Sequence, residues 1–350
     1  MKVCVVSSTV FAIGEAGTPG LKAYGGLEQL AWEQARGLAA RGHQVILVAP
    51  NGSECPGCEV VHTGPPGQHD EHGAFQSFWK RLFEVDVCLD NSWSKEAYLL
   101  KEEGVLKAPV LGITHAPVNT MMGSLPNVEK PCFVCISKDQ CNHFEALWGR
   151  PARWVANGID VDFYKPLNVP RSDRALFLAR WSSIKGPDLG IEACKLANVG
   201  LDLIGDLTIT NEPEYFQRCM AMTDNKQIKA MGGVPRGETV WWYSQANVML
   251  HPNQRFREPA GLAPREAMAC GCPCAAWRYG AMPESIVHGE TGWIVNSLDE
   301  LVDVIKGPAS SIPDSMRTRC REWVCDQFSI KHMVDGYERL CEEAVSTGGW

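Results

Sequence analysis

Two carboxylates eight positions apart, Glu258 and Glu266, frame the segment of this chain most suited to chemistry. The segment runs Glu258-Pro259-Ala260-Gly261-Leu262-Ala263-Pro264-Arg265-Glu266 and follows an apolar stretch, Val248–His251, and a polar loop. Its second half reads as the opening of a helix. Gly261 permits close backbone approach to a ligand. Pro264 suits a first helical turn, where its missing N–H costs nothing. Amides at such a helix start attract phosphate. A carboxylate nearby can accept two hydrogen bonds from the vicinal hydroxyls of a ribose or a hexose. The plainer alternative is that Glu258 caps the helix and Glu266 is an ordinary satisfied carboxylate.

Two other patterns point to metal and are weaker. Asp160-Val161-Asp162 is a paired carboxylate, but it lies in a turn-rich stretch after Asn157-Gly158. A metal-binding pair is expected at a strand end in a cleft, so no metal is expected here. The fifteen cysteines include two Cys-x-x-Cys pairs, Cys55/Cys58 and Cys132/Cys135. A structural zinc would need both pairs to meet. Cys132-Phe133-Val134-Cys135 reads as a buried strand, whereas Cys55-Pro56-Gly57-Cys58 reads as a turn. Packing or free thiols is the expectation for both, and for Cys270, Cys272 and Cys274.

The elements that must position these residues alternate. Lys2–Ser7 predicts a strand, followed by a Gly-rich loop ending at Gly25-Gly26. Leu27, Leu30, Ala31, Ala35, Leu38 and Ala39 then recur at helical spacing. Gln44–Ala49, Val85–Leu89, Val110–Thr114 and Phe133–Ser137 continue a first strand series, with 51–74 a surface loop. A second series comprises Ala175–Ala179, Leu201–Ile204, Ile228–Met231, Val248–His251, Pro273–Trp277 and Trp293–Val295. Strands alternating with helices imply parallel sheets of βαβ units. Two series imply two α/β domains: 1–160 with a returning helix in 330–350, and 161–329. Phe75, Phe78, Trp79, Leu82 and Phe83 form an apolar stripe that suits packing on a sheet better than a membrane surface.

Composition narrows the classes. The net charge is -8 and no dense Lys/Arg run occurs, so nucleic acid is not an expected partner. No stretch of about 18 apolar residues occurs, so at most peripheral membrane contact and a cytoplasmic location are expected. A Rossmann dehydrogenase would need Gly-x-Gly-x-x-Gly after the first strand, and Ser7–Gly14 has none.

The string from Glu258 to Glu266, with Gly261-Leu262 inside it and Ala267-Met268-Ala269-Cys270-Gly271 after it, resembles the retaining family-four type glycosyltransferases of the GT-B fold. So do Tyr24-Gly25-Gly26-Leu27-Glu28, Asn157-Gly158-Ile159-Asp160, Arg180-x4-Lys185-Gly186 and the block from Gly280 through Glu284 to Gly292. These blocks occur in the family's order across nearly the whole chain. The resemblance implies two Rossmann-like domains facing across a cleft, with the nucleotide-sugar donor bound by the second and the acceptor by the first. It implies that Arg180 and Lys185 clasp the donor diphosphate, that Glu266 holds the ribose, and that Glu258 contacts the transferred sugar. Gly261 and Leu262 would offer amides to the donor, Gly25 and Gly26 would let a loop close over the diphosphate, and His115 would lie near the sugar. Glu284 would lie near the nucleotide. Ala260, Pro264-Arg265 and Ala281 depart from the family pattern, which bears on donor preference more than on fold.

The expected function is therefore metal-independent transfer of a hexose from a UDP- or GDP-linked sugar to a hydroxyl acceptor, with retention. The NDP-sugar serves as co-substrate and no further cofactor is expected. The acceptor, whether a sugar, a lipid-linked group or a small molecule, is not specified. The competing readings are a non-catalytic nucleotide-sugar-binding protein and a GT-B phosphorylase or epimerase.

Overall fold

A computed structural model of the chain describes residues 1–14, 26–67, 70–118, 132–206 and 212–350. It divides into two compact units, Met1–Gly158 with Ile330–Trp350, and Ile159–Ser329.

The first unit is built on a seven-stranded parallel sheet in the order β3-β2-β1-β4-β5-β6-β7. Its strands are β1 Lys2–Val6, β2 Gln44–Ala49, β3 Glu59–His62, β4 Val87–Asp90, β5 Val110–Thr114, β6 Phe133–Cys135 and β7 Arg153–Trp154. The helices α1 Gly26–Ala39, α2 Glu71–Phe78, α3 Glu96–Glu102 and α4 Lys138–Trp148 lie between them, and α12 Ile330–Thr347 returns at the end. The central strands are continuous apolar runs because both faces of a parallel sheet are covered. Lys2 pairs with Gln44 and Val3 with Val87, so β1 lies between β2 and β4. The core beneath α2 and α3 includes Phe75, Phe78, Leu82, Tyr98, Phe133 and Phe144. On α12, Met333, Tyr337, Leu340 and Cys341 are buried, and the helix packs on α1.

One expectation is corrected in this unit. Residues 51–74 are not one loop: they hold β3 and the start of α2. β3 is a four-residue edge strand with both ends exposed, so its composition is that of a loop. The apolar stripe from Phe75 to Phe83 packs inward through two successive helical segments. It passes from α2 into a tighter turn of helix, Trp79–Glu84, burying Phe75, Phe78 and Leu82 while Phe83 stays 52% exposed.

The second unit carries a six-stranded parallel sheet, β10-β9-β8-β11-β12-β13. The strands are β8 Ala175–Leu178, β9 Leu201–Ile204, β10 Ile228–Gly232, β11 Val248–His251, β12 Cys274–Trp277 and β13 Gly292–Val295. The connecting helices are α5 Pro187–Ala197, α6 Pro213–Ala221, α7 Arg236–Gln245, α8 Leu262–Ala269 and α9 Met282–Ser285, followed by α10 Leu298–Lys306 and α11 Asp314–Phe328. Phe177, Trp181, Ile191, Leu203, Leu250 and Leu301 belong to its core. No helix among the described residues is long and apolar enough to cross a membrane.

Both sheets share one feature that locates a site. The chain winds outward from the unit's first strand in one direction, then crosses to its other side. The switch falls between β1 and β4 in the first sheet and between β8 and β11 in the second. Loops leaving the carboxyl ends of such strand pairs diverge and open a crevice, where ligands of doubly wound folds bind.

Candidate active site

In the second unit the crevice between β8 and β11 collects the candidate charges. Arg180 and Lys185 lie in the loop after β8, and Glu258 lies in the loop after β11. Lys185 Nζ donates to Glu258 Oε2 at 2.5 Å, with the Glu258 side chain only 11% exposed. His251, the last residue of β11, lies 3.8 Å from the same oxygen through Nε2. The Lys185 ammonium also stands 5.9 Å from the centre of the Phe256 ring. Burial alone would raise the Glu258 pKa, but the charge and hydrogen bond of Lys185, with the charge of Arg180, reverse this and hold the carboxyl below its ordinary range. His251 is pushed down to about 4, chiefly by burial and further by Lys185, against the opposing pull of Glu258. It is a neutral imidazole at physiological pH.

The Glu258 loop is shaped from within and clamped from without. Asn253 accepts hydrogen bonds from the amides of Arg255 and Phe256 through Oδ1 and donates to the Phe256 carbonyl through Nδ2. Ala281 N donates to the Glu258 carbonyl at 2.9 Å. Gly280, at φ +62°, passes so close that a Cβ would stand 2.3 Å from that carbonyl oxygen. The Gly280 block thus holds Glu258 from outside its own loop. Gly261, at φ +71°, caps α8 at its N-terminus, and a Cβ there would meet Met282 Cε at 2.3 Å. Leu262 opens the helix. The first amides of α8 have no intrahelical acceptors and give this end a partial positive charge.

Glu266, on the buried side of α8, accepts a hydrogen bond from Tyr243 Oη at 3.0 Å. Glu284 lies on α9, a four-residue helix, and is half-buried. Arg265 is a departure with a structural meaning: it is fully buried, donates through Nε to Ser285 Oγ at 3.0 Å, and lies 4.0 Å over the Phe328 ring. Burial lowers its pKa to about 10, opposed by the charges of Glu284 and Glu258. The Asp160 carboxylate of the paired-acid triplet is engaged locally, accepting from the amides of Asp162 and Phe163.

The first unit has its own polar cluster at the corresponding crevice. His115 follows β5 and donates from Nε2 to Asn91 Oδ1 at 2.9 Å. Asn91 Nδ2 in turn donates to Gln34 Oε1 on α1 at 2.9 Å. This chain of bonds places the proton on Nε2 and leaves Nδ1 as the ring's acceptor. Burial of the ring and the charge of Lys95 push the His115 pKa down to about 3. Lys95 is buried with a left-handed φ of +56°, and its Nζ donates to the carbonyls of Asp90 and Ser92. Glu28, in the first turn of α1, accepts from Ser8 Oγ and is raised by burial. Gly26 is the first residue of α1. Gly25 lies outside the described residues.

The structure thus brings Arg180, Lys185 and Glu258 together and sets Gly261, Leu262, Glu266 and Glu284 on the two helices that follow. His251, Tyr243, Asn91, Gln34 and Lys95 are absent from the sequence reading. Gln34 had a signal: it is a polar residue between Leu30 and Leu38 on the apolar face of α1. The others announce nothing locally, because their partners lie on other elements.

Comparison with known proteins gives this crevice its context. The family model of glycosyl transferases group 1 matches residues 161–308, and that of glycosyltransferase family 4 matches residues 24–163. The chain belongs to the family-4 type glycosyltransferases of the GT-B fold. Among curated relatives, the N-acetyl-alpha-D-glucosaminyl L-malate synthase of Bacillus anthracis is 36% identical over 90 residues, covering 24% of this chain and 23% of that protein. The chain's matched segments span less than half the length of the curated relatives. Sucrose-phosphate synthase from Thermosynechococcus elongatus superposes with a TM-score of 0.77 at 19% identity, covering 99% of both chains. Anabaena Alr3699/HepE, solved in complex with UDP-glucose, superposes with a TM-score of 0.71 at 16% identity, covering 99% of this chain and 100% of that one. At such identities the superpositions speak to the fold alone. In this chain the Arg180–Lys185 loop and the Glu258–Glu266 string leave β8 and β11, on either side of one crevice.

Proposed function

We propose that this chain transfers a hexose from a nucleoside-diphosphate sugar to a hydroxyl acceptor, with retention at the anomeric carbon and without a metal. The observation that carries the reading is the Lys185–Glu258 pair at the β8/β11 switch point, beside the amides that open α8. A diphosphate is an anion with two bridged charges. Arg180 and Lys185 would neutralise the charge that grows on it as the sugar departs, the work a metal does elsewhere. Glu258 would hold sugar hydroxyls and Glu266 the ribose, each by accepting paired hydrogen bonds. Glu258 holds the Lys185 ammonium, and a bound diphosphate would compete for it. His115, neutral with Nδ1 as acceptor, would accept a hydrogen bond from a hydroxyl.

One structural neighbour is solved in complex with UDP-glucose, which supports a uridine-linked donor without choosing the sugar for this chain. Among the described residues no carboxylate stands out as a nucleophile, so departure on one face is favoured, the leaving phosphate helping to take the acceptor proton. A panel of UDP- and GDP-sugars, read by thermal shift and by nucleotide release in the presence of a chelator, tests the assignment without knowledge of the acceptor. Arg180→Ala and Lys185→Ala should each lower turnover on the best donor by about 10²–10³-fold while circular dichroism remains that of the parent. Near-parental turnover in both variants would remove the diphosphate clasp from the proposal. Donor binding with no release or transfer on any acceptor would leave a binding protein instead.

A further inference from the structure

Cys55-Pro56-Gly57-Cys58 stands apart from the remaining cysteines. Of the fifteen, only Cys58 and Cys325 are not buried. Cys58 has a thiol neighbour: Cys55 Sγ lies 3.2 Å from Cys58 Sγ. The turn that sets this distance is built for it. Cys58 N donates to the Cys55 carbonyl at 3.1 Å, and Gly57 takes a φ of +78°, which an L side chain resists. The chain entering the turn is tied on two sides. Glu54 N donates to the Ile13 carbonyl at 2.9 Å, Ile13 N donates to Ser53 Oγ at 3.1 Å, and Trp32 Nε1 donates to the Glu54 carbonyl at 2.8 Å. The turn therefore has little conformational freedom left to lose when its two sulfurs join.

We propose that Cys55 and Cys58 form a reversible dithiol–disulfide couple on the first unit, oxidised by low-molecular-weight disulfides of the glutathione class. The inference is independent of the transfer reaction. Cys58 is the more accessible sulfur, and the hydrogen bond from Cys55 lowers its pKa, favouring the thiolate. The Cys58 thiolate attacks one sulfur of the small disulfide, whose S–S bond breaks, releasing one thiolate that takes up a proton. The Cys55 thiol then gives up its proton, and its thiolate attacks Cys58 Sγ. The mixed S–S bond breaks and a second small thiol leaves. The protein loses two hydrogens and one small disulfide becomes two thiols. A bond of ~2.05 Å requires the sulfurs to approach by little more than 1 Å. The buried thiols have no comparable route, because thiol–disulfide exchange needs access.

Trypsin isolates the pair, since Gly42–Lys80 contains no internal Lys or Arg and no other cysteine. The whole folded protein is equilibrated in glutathione buffers of graded ratio, quenched in acid, alkylated and digested. The Gly42–Lys80 peptide should become two hydrogens lighter and resist alkylation, reverting on dithiothreitol, while the buried cysteines stay alkylatable after unfolding. Cys55→Ser should stop at one glutathione adduct on Cys58. Cys58→Ser should leave Cys55 unmodified in the folded protein. The proposal is overturned if both thiols of the parent stay alkylatable in excess oxidised glutathione. It is equally overturned if the parent accumulates a stable adduct on Cys58 without closing the disulfide.

Discussion

Lys185 and Glu258 are most informative when taken as a pair of ions in a nearly closed space. Removing one member strands the other, and breaking a buried pair costs about 3–5 kcal/mol, whereas replacing both by apolar residues of similar volume is close to neutral. Lys185→Met should therefore lower the denaturant midpoint clearly, and Lys185→Met with Glu258→Leu should recover most of the loss while remaining inactive. Single and double variants compared by urea unfolding check this; additive losses would mean the pair is not coupled. His251 supplies a pH dependence. Its folded pKa of about 4 lies below an unfolded value near 6.5, so the unfolded chain takes up a proton first as pH falls. Stability is complete above about pH 6.5 and is lost progressively down to about pH 4, by an amount on the order of 3 kcal/mol. His251→Gln should flatten that part of the stability–pH curve. Glu258 acts in the same direction at lower pH: its depressed pKa stabilises the fold above the unfolded carboxyl value, and that stability is lost as pH falls through the folded value.

Among the elements, the loops after β8 and β11 owe their shape to positions far along the chain. Gly280 touches the Glu258 backbone closely enough that any side chain must displace it. Gly280→Ala should lower turnover at least tenfold, with a melting temperature lowered by a few degrees, because the carbonyl that Ala281 binds must move. Gly261→Ala meets only the flexible end of Met282 but must adopt a left-handed conformation, costing about 1 kcal/mol. Its effect should appear more in donor affinity than in melting, which calorimetric titration and thermal unfolding can separate. The strands that surround these loops were plain in the sequence because parallel strands buried on both faces are apolar throughout. β3 and β7 were not, since short edge strands carry the composition of loops.

For the whole molecule, the chain path makes one unit contiguous and the other dependent on both ends of the sequence. A fragment of residues 159–329 should fold with a cooperative thermal transition, since its sheet and core are complete. A chain ending at Ser329 should lose the first unit's transition or shift it sharply down. It lacks α12, which buries Met333, Val334, Tyr337, Leu340 and Cys341, each contributing roughly 1–3 kcal/mol. It also lacks the Arg41 salt bridge and the His43 hydrogen bond to Glu338. Differential scanning calorimetry of both fragments beside the full chain decides the point.

By itself the sequence determined the alternation of strands and helices, the two series, the last helix and the order of the family blocks. These follow from local periodicity and turn chemistry, which neighbours in the chain report. The resemblance carried the reading of Arg180, Lys185, Glu258 and Glu266, because a motif preserves spacing even where the partners are distant. Only the tertiary structure decided that Lys185 bonds Glu258, that His251 stands behind them uncharged, that Arg265 is buried against Phe328, and that Asn91 and Gln34 set the proton on His115. Each of these depends on the strand order of a crossed-over sheet. That order brings together residues tens of positions apart, and their electrostatics arise only once water has been excluded from between them.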